Sequence, residues 1–214
     1  MDNQSQVYQY SLQAFTEIFA IVSHELRNTL AIINENSGLL DDLILMSNET
    51  IESRRVKIAT AAIEKQVSRS DKIIKTMNRF AHTADLTVST AVVQLLLTDI
   101  VDLTNRKAAG AEITVEIKCD KNHTLTGELP VIEATVYYIL SSAYSFKKPL
   151  ENKRIVLQVS TFENAYEILF QTENFTIEMN EDTKQKVQQL CEYINGEFVA
   201  ENDYSIRLPK TKQL

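Results

Sequence analysis

The chain has 214 residues, of which 44% are hydrophobic and 24% are charged, and its formal net charge is −7. This length holds one large domain or two small ones, and the negative charge argues against nucleic acid or anionic lipid as the main partner. No apolar run is long enough to span a bilayer, the N-terminus lacks a signal-peptide pattern, and Cys119 and Cys191 have neither metal-ligand nor disulfide spacing. We therefore expect a cytoplasmic protein that has no metal site and binds neither nucleic acid nor membrane.

Two long helices are predicted in the first part of the chain. From Leu12 to Leu43, residues at alternating spacings of three and four form the a/d series typical of a coiled coil or helical bundle. A second series begins at Val56, and the polar segment at 47–49 is short enough to join antiparallel neighbours. The second series is Val56, Thr60, Ile63, Val67, Ser70, Ile74, Met77 and Ala81. The pattern predicts a helical hairpin.

Charge and apolar surface both favour association of these helices. Residues 1–47 contain six acidic residues and one Arg, whereas residues 48–82 contain four acidic and eight basic residues, so the two helices attract each other. Ile18, Ile21 and Leu30 widen the apolar stripe beyond what one hairpin can cover. The simplest arrangement is a homodimer whose two hairpins form a four-helix bundle and bury about 2,000 Å² or more between them.

A histidine lies in the middle of the first helix, within the stretch SHELRNTL at 23–30. Because Phe19 and Val22 occupy seam positions a and d, His24 falls at position f, and its imidazole is predicted to face solvent. Neutral imidazole has a free ring nitrogen that can attack phosphorus. An isolated surface histidine would be ordinary, so the assignment depends on its neighbours.

The run His-Glu-Leu-Arg-Asn at 24–28 resembles the H-box of histidine kinases and histidine phosphotransferases. The resemblance implies that His24 is the phospho-acceptor and that Glu25 assists its imidazole. It also implies that Arg27 pairs with phosphoryl oxygens or a partner carboxylate, and that Asn28 orients a hydrolytic water. Thr29 stands where the family usually has proline, which predicts a straighter helix and makes the hydrolytic role less secure.

Helices and strands alternate in the second part of the chain, which predicts an α+β layer sandwich. The predicted helices are 90–106, 130–146 and 182–194, and the predicted strands are 112–119, 123–127, 154–161, 165–173, 197–200 and 204–209. We divide the chain into a helical-hairpin dimerisation and phosphotransfer domain at 1–85 and a second domain at 86–214. The order of elements in 86–214 resembles the ATP-binding domain of histidine kinases, with Gly127 and Glu128 at the start of its first nucleotide-binding helix.

The resemblance lacks the residues that bind nucleotide. Tyr138 and Ser142 stand where the family has asparagines that hold Mg²⁺ and phosphates, and the adenine-binding aspartate and its glycines are replaced at three positions. These positions are Thr172, Asn174 and Thr176. The chain has only four glycines, no two closer than 17 residues, so it has no glycine-rich loop to cradle phosphates. The resemblance therefore implies a lost nucleotide site and no cofactor.

A phospho-acceptor helix joined to an ATPase-like domain without its ATP site resembles the bacterial histidine phosphotransferases of the ChpT type. The resemblance implies a dimer that relays a phosphoryl group through His24 between the aspartates of response-regulator receiver domains, with a hybrid histidine kinase as a further partner. The Mg²⁺ would be held by the receiver. The second domain is expected to help dock the receiver beside His24. Candidate receiver contacts on the first helix are Phe19, Ala20, Ser23, Arg27 and Ala31.

Three other functions remain open from the sequence. The chain could be a receiver phosphatase that uses Asn28, a non-catalytic protein that sequesters a kinase or regulator, or a kinase with a divergent nucleotide site. Phosphohistidine formation, the effect of His24→Ala and binding of Mg-ATP distinguish them.

Overall fold

The computed structural model describes residues 3–46, 53–146, 148, 150–200 and 203–211. The helices are α1 (Asn3–Met46), α2 (Ser53–His82), α3 (Val93–Gly110), α4 (Leu129–Tyr144) and α5 (Glu181–Tyr193). The strands are β1 (Ser89–Val92), β2 (Ile113–Lys118), β3 (Thr124–Gly127), β4 (Lys153–Phe162), β5 (Ala165–Glu173), β6 (Glu197–Ala200) and β7 (Tyr204–Pro209). None of the helices in these ranges is long and apolar enough to cross a membrane.

The two predicted N-terminal helices are present and pack against each other as α1 and α2. α1 has 44 residues, which corresponds to a length of about 66 Å. Neither helix contains proline, so no position forces a kink. The predicted loop at 47–49 lies outside the described residues. Within the described residues, side-chain packing along their length holds the two helices together.

The second part of the chain contains a five-stranded sheet in the order β2-β4-β5-β7-β6. β2 pairs parallel with β4, and all the other pairs are antiparallel. Between α5 and β6, the chain turns at Asn195, whose φ of 56° is left-handed, and Gly196 follows. A Cβ on Gly196 would lie 2.7 Å from the Arg207 carbonyl oxygen, so only glycine allows this close approach of the turn to β7.

Helix α4 lies at the centre of the molecule. Of its 16 residues, 13 are buried, which is the pattern of a helix covered on all sides. One side belongs to the core shared with the sheet, and another side contacts α1. Tyr137 and Ile139 of α4 are among the largest fully buried side chains, together with Phe170 of β5. Helix α4 therefore lies between the sheet and α1.

The N-terminal half of α1 belongs to the same hydrophobic core as the second part of the chain. It contacts α3, α4 and α5, and its side chains Val7, Ala14 and Ile18 are almost fully buried. We call these three residues the packed face of α1. The predicted boundary at 85/86 falls in the segment between α2 and β1, but the two parts of the chain share one core.

Two details differ from the sequence-based prediction. The helix predicted from Thr90 begins at Val93, because Ser89–Val92 pairs with β3 in an antiparallel ladder. On α2, the predicted seam residues Val67 and Ile74 are about half exposed, whereas Gln66, Thr76 and Phe80 are buried. α2 contacts both α1 and α3, so its buried stripe is rotated toward the groove between them.

Candidate functional site

His24 is exposed on α1, on the same side of the helix as Glu17 seven residues earlier. Ala20, Arg27 and Asn28, one turn before and after it, and Ala31, two turns after it, are exposed as well. We call these five residues the open face of α1. The exposure follows from helical spacing, since residues three, four and seven apart share one side of a helix. The imidazole is therefore accessible to a partner, as the seam pattern predicted.

Glu25 faces a different side of α1, toward α2. Its side chain is 10% exposed, and its Oε1 accepts hydrogen bonds from Nη2 of Arg69 at 2.8 Å and from Nε at 3.2 Å. Both donors share one carboxylate oxygen, and the Arg69 side chain is 51% exposed, so this is a partly solvated ion pair. It differs from the predicted assistance to His24, because adjacent helical residues point about 100° apart and α2 supplies the nearer partner. In this arrangement Glu25 joins the two helices.

Thr29, at the usual proline position, also contributes to this contact between helices. Its hydroxyl donates to the Leu26 carbonyl at 2.8 Å and accepts from the Ser70 hydroxyl at 3.0 Å. Thr29 is almost fully buried, so these bonds satisfy a polar group inside the bundle. Without proline, the backbone N–H at this position is kept and α1 runs uninterrupted through residue 29.

The predicted receiver contacts near His24 differ in exposure. Ala20, Arg27 and Ala31 belong to the open face, whereas Ser23 is half-buried and Phe19 lies on a flank with 55% of its surface exposed. The five residues thus form a continuous strip of α1 over about three turns. Their contact with a receiver stays a prediction.

The second part of the chain reaches His24 through the C-terminal end of α3. Arg106 and Lys107 line a cleft of about 470 Å³ with Glu17, Ala20, Ile21 and His24 of α1. We call this the His24 cleft. These residues are far apart in sequence, and a basic pair at the end of a predicted helix carries no signal for a site. Sequence reasoning therefore missed both Arg106 and Lys107.

One wall of the His24 cleft is fixed by a chain of hydrogen bonds. Nζ of Lys107 donates to the Tyr137 hydroxyl at 3.0 Å, and that hydroxyl donates to Oε2 of Glu17 at 2.7 Å. Burial and the bond to Glu17 raise the pKa of Tyr137, so the phenol remains neutral. The positive charge of Lys107 is thereby connected to the negative charge of Glu17 through one neutral hydroxyl.

The positions at which histidine kinases hold a nucleotide have a different environment. Tyr138 on α4 is buried, its hydroxyl donates to the Tyr10 carbonyl of α1 at 3.0 Å, and Nζ of Lys186 lies over both rings. Ser142 donates to the Tyr138 carbonyl at 2.9 Å. The Tyr138 side of α4 is therefore covered by α1 of the same chain.

The remaining three positions lie at the end of β5 and just beyond it. Asn174 adopts a left-handed φ of 67° and donates to the Asn152 carbonyl at 3.0 Å, while Thr172 is half-buried and Thr176 is exposed. None of the five matching side chains is a carboxylate, and Tyr138 fills space under α1. These positions therefore do not fit a magnesium–nucleotide complex, because no carboxylate is present to accept from the base and the hydroxyls of Tyr138 and Ser142 already donate within the chain. Among the described ranges, there is also no cluster of three His, Cys, Asp or Glu residues with metal-site geometry.

Comparison with known proteins gives a structural answer only. No family model matches the chain, and no curated protein matches it in sequence. Among solved structures, the histidine kinase AdeS of Acinetobacter baumannii is similar with a TM-score of 0.50 and 11% identity, over 87% of this chain and 98% of that one. The catalytic domain of the histidine kinase ThkA has a TM-score of 0.49 and 11% identity, over 60% of this chain and all of that one. The cytoplasmic segment of the histidine kinase QseC has a TM-score of 0.42 and 15% identity, over 69% and 95%.

The match to AdeS covers both the hairpin and the layer sandwich. The chain therefore has a histidine-kinase-like fold, with a helical N-terminal region followed by an α/β sheet domain, as the sequence predicted. At 11% identity this likeness concerns the fold alone, and function must be argued from the residues.

Proposed function

We propose that the chain is a histidine phosphotransferase of a two-component phosphorelay. His24 accepts a phosphoryl group from the aspartyl phosphate of one response-regulator receiver and passes it to another, without ATP. One observation carries the proposal. His24 is exposed on α1, while the carbonyl of Tyr10 in the same helix accepts from Tyr138 at the position of the nucleotide site.

The proposed chemistry requires only a neutral imidazole and access to it. The lone pair of a His24 ring nitrogen attacks phosphorus, the acyl phosphate P–O bond breaks, and its electron pair stays on the aspartate carboxylate. The imidazolium then releases the proton of its other ring nitrogen to solvent. Transfer to the second receiver reverses these steps. Mg²⁺ belongs to the receiver, which supplies the carboxylates that such a metal prefers.

The proposal includes a homodimer. Apolar side chains on α1 and α2 remain about half exposed or more in the single chain, and a second hairpin would cover them. They are Leu12, Phe19, Leu30, Val67 and Ile74. Sedimentation analysis at micromolar concentration tests this part, and a monomer there would contradict it.

The phosphoryl transfer is tested with radiolabelled phospho-receiver domains from the organism that encodes the chain. We expect acid-labile, base-stable label on the wild type and none on His24→Ala. His82→Ala is the matched control, since His82 is also an exposed helical histidine and should leave labelling unchanged. Label on His24→Ala would refute the proposal. Receiver binding that is the same for wild type and His24→Ala, without any label, would favour a sequestering protein.

Asn28 favours a second candidate function, dephosphorylation of the receiver. It is exposed one turn after His24, where its amide could orient a water toward a receiver's phosphoryl group. Loss of receiver phosphate in the presence of His24→Ala, abolished by Asn28→Ala, would support this role. We expect receiver phosphate to be retained with His24→Ala.

ATP independence is tested by thermal unfolding with and without Mg-ATP. Ligand at 100 times its dissociation constant would stabilise the fold by about 2.7 kcal/mol, a readily measured shift. We expect no shift. A concentration-dependent increase of the melting temperature would instead favour a kinase with a divergent nucleotide site.

A further inference from the structure

The His24 cleft contains a cation that the described contacts leave uncompensated. Lys107 is connected to Glu17 through Tyr137, as described above. Arg106 is exposed at the mouth of the same cleft, and within the described residues its guanidinium has no hydrogen-bond or salt-bridge partner. A free guanidinium beside a candidate phospho-acceptor is placed to bind an anion.

The geometry points to the His24 cleft as a phosphoryl-binding site in which Arg106 binds the oxygens of the group carried by His24. This inference rests on the proposed function and adds a residue from the second part of the chain to the reacting site. Arginine suits the task because its planar, always-charged guanidinium donates two parallel hydrogen bonds to phosphate oxygens.

The side chains that line the cleft leave room for an anion. Ala20 lies one turn before His24 and its single methyl group leaves space beside the imidazole, whereas a longer side chain would fill it. Glu17 is one turn further and would repel an anion, but its carboxylate accepts from Tyr137, whose hydroxyl is held by Lys107. The cleft thus has two cations and one anion that is already paired. An incoming phosphoryl group would meet net positive charge.

A small phosphodonor tests this site without any receiver. Phosphoramidate carries a protonated –NH3+ group, so when a His24 ring nitrogen attacks phosphorus and the P–N bond breaks, its electron pair departs with ammonia, and the imidazolium releases the proton of its other ring nitrogen to solvent. The initial rate of phosphohistidine formation is followed by phosphorus NMR on the full chain. The variants are Arg106→Gln, Arg106→Lys and, as a charge-matched control, Arg54→Gln. Arg54 is an exposed residue of α2. It lies about 22 Å along the helix from Arg69, which pairs with Glu25 next to His24, so it is remote from the cleft.

We expect Arg106→Gln to lower the rate about tenfold or more, because it removes donors aimed at charge on the transferring group. Arg106→Lys should retain part of the rate, since lysine keeps the positive charge but cannot donate two parallel hydrogen bonds as a guanidinium does. Arg54→Gln should match the wild type. Circular dichroism and the melting temperature verify that each variant is folded, as is expected for exposed positions.

The outcomes separate the two proposals. If the wild type is labelled at His24 and Arg106→Gln is labelled equally fast, the phosphoryl-binding role is overturned and the phosphotransferase proposal stands. If phosphoramidate leaves the wild type unlabelled, His24 is not a competent acceptor and the proposed function fails first. If Arg106→Gln is labelled at the wild-type rate but binds a receiver more weakly, Arg106 contacts the receiver only, which also overturns the inference.

Discussion

The two faces of α1 differ in a way that explains how one helix serves both fold and function. The packed face contains Val7, Ala14 and Ile18, each no more than 1% exposed, and joins the core around α4. The open face contains His24 and its polar or small neighbours, which remain exposed beside the C-terminal end of α3. Packing fixes the position of the helix, and the absence of packing keeps the imidazole accessible. The difference assigns stability to one face and leaves the other exposed for the proposed chemistry.

The largest effect is expected from a pair of adjacent substitutions on these faces. Ile18→Ala removes a fully buried side chain and should lower the free energy of unfolding by about 3 kcal/mol, the range of large-to-small core changes. Phe19→Ala, one residue later and 55% exposed, should cost less than about 1 kcal/mol. Urea unfolding measured by circular dichroism compares them.

The same two substitutions, Ile18→Ala and Phe19→Ala, also test the homodimer. A cost for Phe19→Ala that grows with protein concentration would mean that a second chain covers Phe19. Equal and concentration-independent costs for the two substitutions would contradict the division into packed and open faces.

Beside the packed face lies a carboxyl group that makes stability depend on pH. Glu133 of α4 is buried, which raises its pKa to about 8, while the bond from Thr83 opposes this shift and the nearby charge of Asp99 adds to it. The Thr83 hydroxyl lies 2.8 Å from Glu133 and 2.7 Å from the Phe80 carbonyl. Both neighbours accept from Thr83, which has one hydrogen and so donates fully to only one of them at a time.

The sign of the pH effect follows from the raised pKa. Between the ordinary pKa of 4.5 and the folded value of about 8, the unfolded chain has released the proton and the folded chain retains it. Stability therefore falls as pH rises through this window, and we expect a loss of about 2 kcal/mol between pH 6 and pH 8 from Glu133 alone. Glu133→Gln, which keeps an N–H donor, should remove this slope. Denaturant titrations of both proteins at several pH values measure the difference, and parallel pH profiles would contradict the assignment.

The local elements of this fold were accessible to sequence reasoning, whereas the contacts between them were not. Seam spacing and the absence of proline predicted α1 and α2, and the same seam placed His24 on the outside. Which side of α2 is buried was harder to predict, because it depends on the contact with α3, and no residue spacing within α2 reveals that contact. The helix predicted at Thr90 starts three residues late, since Ser89–Val92 finds its hydrogen-bond partners in β3, about 35 residues away.

The candidate site shows the same limit. His24, Arg27 and Asn28 are close in sequence, so one short motif identified them. Arg106 enters the His24 cleft because α3 contacts α1, a tertiary contact with no local signature. Tyr138 was recognised as a replacement, but that α1 covers it could not be read from residues 128 positions apart.

A smaller effect is expected at the joint between α1 and α4. Tyr138→Phe keeps the ring and removes the hydroxyl that donates to the Tyr10 carbonyl. That carbonyl retains its place in the helical ladder, so no acceptor is orphaned, and the cost should be about 1 kcal/mol. Thermal unfolding measures it, with Tyr204→Phe on β7 as the control. A gain of Mg-ATP binding in Tyr138→Phe would contradict the view that α1 occupies this side of α4.

The smallest effect is expected from Glu25, and it decides which face of α1 this residue serves. Glu25→Gln weakens the pair with Arg69, whose side chain is 51% exposed, so the unfolding free energy should fall by about 1 kcal/mol or less. Arg69→Gln should give a similar change, because both remove the same pair. The rate of His24 phosphorylation should stay within about threefold of wild type in both, whereas loss of a general acid or base costs about a hundredfold or more. A large rate loss in Glu25→Gln but not in Arg69→Gln would show that the carboxylate leaves Arg69 to reach the imidazole, and Glu25 would then belong to the chemistry rather than to the contact between helices.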